Sequence, residues 1–291
     1  MTSSVAPPLP GDGLGVARRA ENFPFAWMCG PRLRAKRLAL YGFCRLVDDL
    51  GDEYAGDRDA ALDAAETQLR EAARGTATHA VFVALQPLLD AGMPLDPFLR
   101  LVEANRVDQR VAGYETWDEV DAYCALSAAP VGEMVLRLES AATEERLRLS
   151  ASACAGLQLV NHWQDLAEDA GRGRCYVPRD VLVRHRVEVA DLANGSPPPG
   201  FVGMLGECLA AARERLAAGW PLAARLGRRR LAAEVAGFVA HGAAACDAVE
   251  AAGVRLLRER PSAGGAGRAV AALTAVRALI APGPLPRGLC R

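Results

Sequence analysis

The feature that most constrains the fold is the spacing of apolar side chains, which recurs with a period near 3.6 residues in nearly every segment. Alternating apolar and polar runs, the pattern of a half-buried strand, are absent. Alanine and leucine are abundant, and aromatic residues make up only 5% of the 291-residue chain. The sequence therefore predicts an all-α fold.

Helix start and stop signals divide this pattern into segments. Pro31 is placed to begin a helix, and Thr116 opens a capping box with Glu119. Thr143 is a second N-cap, and Gly171 ends the helix that it starts. The predicted helices cover approximately residues 31–53, 116–138, 143–170, 201–219, 229–252 and 265–281.

A proline-rich break, "SPPPG" at Ser196–Gly200, lies before the last three of these helices. It has the composition of a domain linker, but the helices after it are too few to form an obvious second core. We therefore expect one all-α domain over residues 21–281, with a disordered N-terminal tail over 1–20 and a C-terminal tail over 282–291.

Charge and cysteine content exclude several classes of protein. The chain has 34 basic and 35 acidic side chains, which gives no reason to expect nucleic acid as a partner. No stretch reaches the roughly 18 uninterrupted apolar residues of a membrane span, and the N-terminus has no signal-peptide pattern. The eight cysteines form no CxxC motif, so neither a zinc ribbon nor a disulfide framework is expected. A reducing cytoplasm is the expected location.

Four carboxylates crowd within six residues of the first predicted helix, at Asp48, Asp49, Asp52 and Glu53. Like charges one turn apart destabilise a helix by about a few tenths of a kcal/mol per pair. Two interpretations remain open. The cluster is either a solvated acidic face or a site for a divalent cation.

A second polar stripe lies on the helix that starts at Thr143. Gln158, Asn161, Asp165 and Asp169 follow one another at spacings of three, four and four, which places them on one helical face. Such a stripe faces solvent or lines an internal cavity. In a cavity its carboxylates need a counter-charge.

The two stripes together favour a magnesium site. Hard oxygen ligands without histidine or cysteine match Mg²⁺, which takes one or two carboxylates and completes its shell with water and phosphate oxygens. The pattern thus fits a diphosphate site better than a closed metal cage, and Arg45, Arg172 and Arg174 supply nearby positive charge. A di-iron bundle site is excluded, because no histidine follows a glutamate by three residues.

The residues at these stripes resemble a known family, the squalene/phytoene synthases. "YGFCRLVDDLGDE" is similar to its first aspartate-rich motif and "LVNHWQDLAEDAGRGRCYVP" to its second. "ENFP" at Glu21–Pro24 and "YCALSAAPVGEMVL" at Tyr123–Leu136 resemble the hydroxysqualene synthase branch of bacterial hopanoid pathways. The similarity covers about residues 21–261. It implies a single-domain isoprenoid synthase, a helical bundle around a central apolar cavity, with Mg²⁺ as cofactor.

The resemblance also implies roles for individual residues. The metal ligands would be Asp48, Asp49, Asp52, Asp165 and Asp169. Diphosphate oxygens would be held by Arg45 and Arg174, and metal-bound water or the leaving group would be oriented by Gln158 and Asn161. The pocket near the departing phosphate would be lined by Tyr41 and Tyr176, and the substrate would also contact Asn22 and Phe23. Candidate contacts for a carbocation are Phe23, Phe43 and Trp163, for each of which ordinary core packing is the favoured alternative.

Two positions depart from the family pattern. Glu133 stands after "PVG" where the hydroxysqualene branch has a basic residue, and Val254-Arg255 stand where the family often has Tyr-Asp. The first departure changes the local charge, and the second removes a hydroxyl group. Both bear on which product is formed.

The implied reaction is the conversion of presqualene diphosphate and water to hydroxysqualene and diphosphate, without a reductant. The alternative within the family is head-to-head condensation of two farnesyl or geranylgeranyl diphosphates. Outside catalysis, the chain could be an inactive partner of another prenyl synthase or a lipid-binding scaffold. The implied substrate is hydrophobic, which implies transient contact with a membrane surface. Because presqualene diphosphate must be made by another enzyme, the resemblance also implies functional coupling to a presqualene diphosphate synthase.

Overall fold

The computed structural model describes residues 30–280, together with Leu9 and Leu289. The two predicted tails, apart from these two leucines, lie outside the described residues. So do Asn22 and Phe23, the proposed substrate contacts near the N-terminus. All statements below concern the described part of the chain.

Every regular element over residues 30–280 is helical, which confirms the predicted all-α class. An isolated parallel bridge joins Gly113 and Cys175 outside the helices. In chain order the helices are α1 (Pro31–Asp52), α2 (Arg58–Ala72), α3 (Ala80–Leu89), α4 (Asp96–Arg110), α5 (Trp117–Ser127), α6 (Ala129–Leu138), α7 (Glu144–Gln164), α8 (Leu166–Gly171), α9 (Arg179–His185), α10 (Val189–Ala193), α11 (Phe201–Gly219), α12 (Leu222–Arg225), α13 (Arg229–Ala252), a 3₁₀ helix (Gly253–Leu257) and α14 (Gly264–Ile280).

Most predicted boundaries are confirmed, and two predicted helices are interrupted. The helix predicted over 116–138 is broken at Ala128 into α5 and α6, and the one over 143–170 is broken at Asp165 into α7 and α8. Thr116 and Thr143 cap as predicted, because each hydroxyl accepts a hydrogen bond from the backbone three residues later. Periodicity did not reveal the breaks, since the apolar spacing continues across both.

The chain divides into two compact units, which are described separately. One comprises the residues up to Arg110 together with Glu133–Ala142, and the other comprises Val111–Gly132 together with the residues from Thr143 onward. The single domain over residues 21–281 stays a prediction.

The first unit is built around Phe43 on α1, which is fully buried. Its ring packs edge-to-face on Phe82 and Phe98, with ring centroids 5.9 and 5.1 Å apart. A buried ion pair between Arg37 and Glu139, 2.7 Å apart, joins α1 to the segment after α6. Phe43 therefore packs in the core of this unit, as the favoured alternative predicted, and its contact with a carbocation stays a prediction.

The second unit depends on close contact between α7 and α11. Gly156 faces α11, where a Cβ atom would lie 2.8 Å from the backbone nitrogen of Leu216. At the far end of α11, a Cβ atom on Gly219 would lie 2.6 Å from the backbone nitrogen of Ala153. Glycine at both positions allows the two backbones to approach closely, which fixes the helix that carries the second polar stripe. Among the described helices, none is both long enough and apolar enough to cross a membrane.

This close contact predicts opposite effects of two Gly→Ala substitutions. Gly156→Ala should lower the free energy of unfolding by about 1–3 kcal/mol, because the added methyl group overlaps backbone atoms that cannot move aside. Gly206→Ala is the matched control on α11, where a Cβ atom would meet nothing within 4 Å. It should raise stability by up to about 1 kcal/mol through helix propensity. Urea unfolding followed by circular dichroism measures both, and equal effects would contradict the packing described.

Candidate functional site

The first acidic turn, defined as Asp48, Asp49 and Asp52, forms the last turn of α1. Asp48 and Asp52 are exposed, whereas Leu50 and Gly51 between them are buried. Asn105 on α4 hydrogen-bonds Asp48. A Cβ atom on Gly51 would overlap the Asn105 amide, so the glycine makes room for this contact. Sequence reasoning missed Asn105, because it lies on a helix without any recognised motif.

The electrostatics of this turn favour an added positive charge. Desolvation and the negative charge of Asp52 raise the pKa of Asp48 to about 7, although Asn105 opposes the shift. Desolvation also raises the pKa of Asp49. A divalent cation would oppose both pKa shifts, since it stabilises the ionised carboxylates.

Arg45 lies on α1 one turn before Asp49, and its guanidinium forms ion pairs with carboxylates of the same segment. It pairs with Asp49 at 2.6 Å and with Glu53 at 3.2 Å. The predicted role of Arg45 in holding a diphosphate would therefore require it to leave these carboxylates. Tyr41, one turn earlier, lies within the electrostatic field of Arg45 and Asp48, and desolvation raises its pKa.

The second acidic turn, Asp165 and Asp169, spans the break between α7 and α8. The helical register persists through the break, because Asp165 donates its backbone N–H to Asn161 at 3.0 Å and Asp169 donates to Asp165 at 2.8 Å. The four side chains of the predicted stripe are half-buried or exposed, while Val160, Trp163 and Leu166 are buried. The prediction of one polar face beside apolar neighbours is confirmed, and the prediction of an unbroken helix is wrong.

Trp163 belongs to the core of this unit. It is fully buried, and its ring packs edge-to-face on Trp117 with centroids 6.1 Å apart. Arg215 lies over Trp117 at 5.3 Å and forms a two-point ion pair with Asp121. Trp163 therefore packs in the core of this unit, as the favoured alternative predicted, and its contact with a carbocation stays a prediction.

Three arginines surround the second acidic turn in different ways. Arg172 pairs with Glu168 at 2.8 Å on the solvent side. Arg174 follows Gly173, whose backbone has a positive φ of 79°. The backbone N–H of Arg174 donates to the carbonyl oxygen of Asp169 at 2.8 Å, so Arg174 lies next to the second acidic turn. Arg260, which sequence reasoning missed, forms a two-point ion pair with Asp165.

Tyr176 belongs to a buried aromatic cluster, which consists of Tyr114, Tyr123, His162 and Tyr176. His162 stacks on Tyr176 with ring centroids 3.6 Å apart and an interplanar angle of 16°. Tyr123 lies 5.4 Å from Tyr176 and 5.5 Å from Tyr114. Cys175 donates its backbone N–H to Ala112, which aligns the segments that carry Tyr114 and Tyr176. Of these rings, only Tyr176 was predicted as a site residue.

His162 is held neutral inside this cluster. Burial, with a smaller effect from the nearby positive charge of Arg174, lowers its pKa to about 3. Its Nε2 atom lies 3.3 Å from the side-chain amide nitrogen of Gln158, a distance at which the amide donates to the neutral ring. His162 therefore fixes the orientation of Gln158 on the polar stripe.

A pocket of about 660 Å³ is lined by Tyr114 of the aromatic cluster and by Cys175, the residue before Tyr176. Its lining combines apolar side chains with Arg179, Arg186 and Glu188. No residue of either acidic turn contributes to it. The predicted central apolar cavity stays a prediction.

Glu133 and Arg255, which depart from the family pattern, both have local partners, whereas the structure gives no explanation for Val254. Glu133 lies between two arginines, since it accepts from Arg137 at 2.7 Å and also pairs with Arg100. Its negative charge is therefore compensated where it stands. Arg255 turns back and donates to the carbonyl oxygen of Ala251 at 3.2 Å, which caps the C-terminal end of α13.

The residues present fit a magnesium ion that binds together with a phosphate ligand. Among residues 30–280, no three histidine, cysteine, aspartate or glutamate side chains are grouped closely enough to hold a metal by themselves. Each acidic turn nevertheless offers oxygen donors, and at the first turn desolvation and the negative charge of Asp52 raise the pKa of Asp48, a shift that a bound cation would oppose. Mg²⁺ needs only one or two protein carboxylates when water and phosphate oxygens complete its shell.

Comparison with known proteins agrees with the helical architecture. A family model described as squalene/phytoene synthase matches residues 16–265. The hydroxysqualene synthase of Rhodopseudomonas palustris is 37% identical over 226 residues, 76% of this chain and 76% of that protein. The 15-cis-phytoene synthase of Synechococcus elongatus is 32% identical over 201 residues, 62% of this chain and 64% of that protein. The crystal structure of squalene synthase HpnC from Alicyclobacillus acidocaldarius superposes with a TM-score of 0.76 at 40% identity, covering 83% of this chain and 94% of that one.

The low pKa of His162 predicts how stability depends on pH. The folded pKa lies below the unfolded value, so the unfolded chain binds the extra proton first and stability is lost as pH falls below about 6.5. His162→Phe keeps the ring stacked on Tyr176 and removes the titration. Between about pH 7.5 and pH 5.5 the wild type should lose about 1 kcal/mol more than the variant. Parallel pH profiles in urea unfolding would contradict this assignment.

Proposed function

The chain belongs to the squalene/phytoene synthase family and is an isoprenoid-processing enzyme, and we propose that it is a magnesium-dependent hydroxysqualene synthase. Its substrates would be presqualene diphosphate and water, and its products hydroxysqualene and diphosphate. The observation that carries the proposal is the 37% identity to a hydroxysqualene synthase over three quarters of both chains. The two acidic turns support the diphosphate chemistry independently.

The chain's own residues would hold and release the diphosphate. Asp48, Asp49 and Asp52 would bind the metal from the first acidic turn, and Asp165 and Asp169 from the second. A bound Mg²⁺ neutralises negative charge on the departing diphosphate. Arg174, beside the second turn, would add a guanidinium to the same oxygens as the carbon–oxygen bond breaks and its electron pair leaves with the diphosphate.

Departure of the diphosphate would leave a carbocation, which water would capture after it rearranges. In the proposed reaction the cyclopropylcarbinyl cation rearranges, a water oxygen bonds to the rearranged carbon, and one proton is lost. No reductant enters this balance. Gln158, oriented by His162, and the neighbouring Asn161 would direct metal-bound water or the leaving group. Tyr41 and Tyr176 would donate hydrogen bonds to the departing phosphate.

A second function within the family is favoured by one specific observation. The 15-cis-phytoene synthase relative supports head-to-head condensation of two prenyl diphosphates, which would use the same acidic residues. The family assignment supports an enzyme over an inactive partner subunit. Supply of presqualene diphosphate by a separate synthase and transient contact with a membrane surface are part of the same proposal.

Two substrates separate these functions. The purified protein is incubated with Mg²⁺ and presqualene diphosphate, and separately with Mg²⁺ and farnesyl diphosphate or geranylgeranyl diphosphate. We expect hydroxysqualene from the first incubation, identified by mass spectrometry, and no condensed product from the others. Labelled water should place its oxygen in the hydroxyl group. Phytoene, squalene or dehydrosqualene from a prenyl diphosphate would replace the proposal with the condensing reaction.

Substitution of single carboxylates tests each acidic turn. Asp48→Asn and Asp165→Asn should each lower kcat at least about 100-fold, because a neutral amide stabilises a bound cation far less than a carboxylate does. Asp59→Asn, on the exposed surface of α2, is the matched control and should leave turnover unchanged. Circular dichroism verifies that each variant is folded. Normal turnover of either test variant would remove that turn from the proposed site.

A further inference from the structure

Asn105 on α4 is a buried polar side chain whose amide has a fixed orientation. The amide nitrogen donates to the carbonyl oxygen of Leu101 at 3.1 Å, and the side chain also hydrogen-bonds the carboxylate of Asp48. Because a carbonyl oxygen and an ionised carboxylate only accept hydrogen bonds, both contacts use N–H groups of the same amide. A flipped amide would turn its own oxygen toward these acceptors. The orientation of Asn105 is therefore determined by its two partners.

Gly51 on α1 provides the space that this amide occupies. A Cβ atom on Gly51 would lie 2.0 Å from the Oδ1 atom of Asn105 and 2.9 Å from its Cγ atom. Both distances are well below the roughly 3.5–4.0 Å of a normal packing contact. Glycine inside a helix is less stable than alanine by about 1 kcal/mol. The close approach of Asn105 accounts for glycine at this position.

The backbone at the end of α1 is anchored from the same side. Gln109, one turn after Asn105 on α4, donates its side-chain amide to the carbonyl oxygen of Gly51 at 3.0 Å. Arg58 on α2 donates to the carbonyl oxygen of Asp52 at 2.9 Å. The last carbonyl groups of a helix have no partner within the helix, and here neighbouring side chains bind two of them. Asn105 extends this anchoring from the backbone to the side chain of Asp48.

The position of the first acidic turn explains why such anchoring matters. The turn forms the C-terminal end of α1, where the helix dipole adds partial negative charge and the last turn holds no basic residue. Repulsion among the carboxylates favours rotamers that point apart. A bound cation requires oxygen atoms that point together. A metal-free turn without a fixed contact would therefore have to reorganise before it could bind metal.

We propose that Asn105 is a positioning residue for metal binding at the first acidic turn. Its amide holds the Asp48 carboxylate in one rotamer before a metal arrives, and Gly51 leaves the room that the amide needs. The cation then meets a ligand that is already oriented. This inference rests on the proposed function, because it requires Asp48 to bind metal.

The test measures Mn²⁺ affinity by electron paramagnetic resonance in the presence of inorganic diphosphate, which requires no turnover. Asn105→Ala should weaken Mn²⁺ binding about tenfold, because loss of a partner that orients a metal ligand lowers metal affinity by about 10- to 100-fold. Val83→Ala, a neutral truncation on the exposed surface of α3, is the matched control and should bind like the wild type. Urea unfolding followed by circular dichroism verifies that each variant is folded.

Two further variants separate the hydrogen bond from the packing of Asn105. Asn105→Leu keeps a side chain of similar size without an N–H donor, and it should bind Mn²⁺ as weakly as Asn105→Ala. Asn105→Gln keeps the amide on a longer side chain and should recover part of the lost affinity. A merely structural role would make the two variants equal, since both retain a side chain at this position.

A double-mutant cycle tests the same contact from the opposite helix. Gly51→Ala should displace the amide and weaken Mn²⁺ binding to a similar extent as Asn105→Ala. When both substitutions are combined, the glycine substitution should cause no further loss, because no amide remains to be displaced. The two losses in affinity should therefore be strongly non-additive.

The outcomes distinguish this inference from the proposed function. Wild-type affinity in Asn105→Ala, or equal affinities in the Leu and Gln variants, would limit Asn105 to a structural role and leave the proposed function standing. Additive losses in the cycle would mean that Gly51 acts separately from the amide, which also overturns the inference. A wild type that binds no Mn²⁺ with diphosphate removes the proposed function together with this inference. Affinity that depends on Asn105 in a protein that does not convert presqualene diphosphate would support the inference and remove only the assigned reaction.

Discussion

The arrangement of the site follows from the repulsion between carboxylates held close together on rigid helices. A helix fixes side chains one turn apart at a short distance, so Asp48 and Asp52 cannot separate to relieve their charge. Desolvation of the Asp48 carboxyl, together with the negative charge of Asp52, raises the pKa of Asp48 to about 7. The surroundings of both acidic turns must therefore supply compensating positive charge or hydrogen-bond donors.

The two turns meet this requirement differently. At the first, Asn105 donates a neutral hydrogen bond to Asp48, and Arg45 on the same helix compensates Asp49. At the second, Arg260 arrives from a distant segment and covers Asp165. A hydrogen bond from a nearly buried amide is fixed in place, whereas an exposed guanidinium is free to move. The first turn is thus compensated by a buried amide and by an arginine of its own helix, and the second by an exposed side chain from a distant segment.

Sequence periodicity predicted what depends on neighbours in the chain. It identified the helical class, most boundaries of the six helices that it predicted and the polar stripe from Gln158 to Asp169, because each is set by spacings of three and four residues. It did not locate the helices between residues 58 and 110 or the short helices at 179–193 and 222–225. It did not identify Asn105, Arg260 or the rings that surround Tyr176. Asn105 and Arg260 act across 57 and 95 residues of sequence, and no local pattern marks a partner at that distance. The break at Asp165 was hidden for a related reason, since the backbone hydrogen bonds bridge it and keep the register.

Compensation by neighbours also explains why a departure from the family motif need not change the chemistry. Glu133 reverses the charge expected after "PVG", yet Arg100 and Arg137 both pair with it. The local sum of charges, rather than the sign of one residue, determines the field that a substrate would experience. The same reasoning applies to His162, whose buried ring carries no charge at neutral pH and whose contact with Gln158 is one of orientation. The role of each charged residue in this site therefore depends on the partners that surround it.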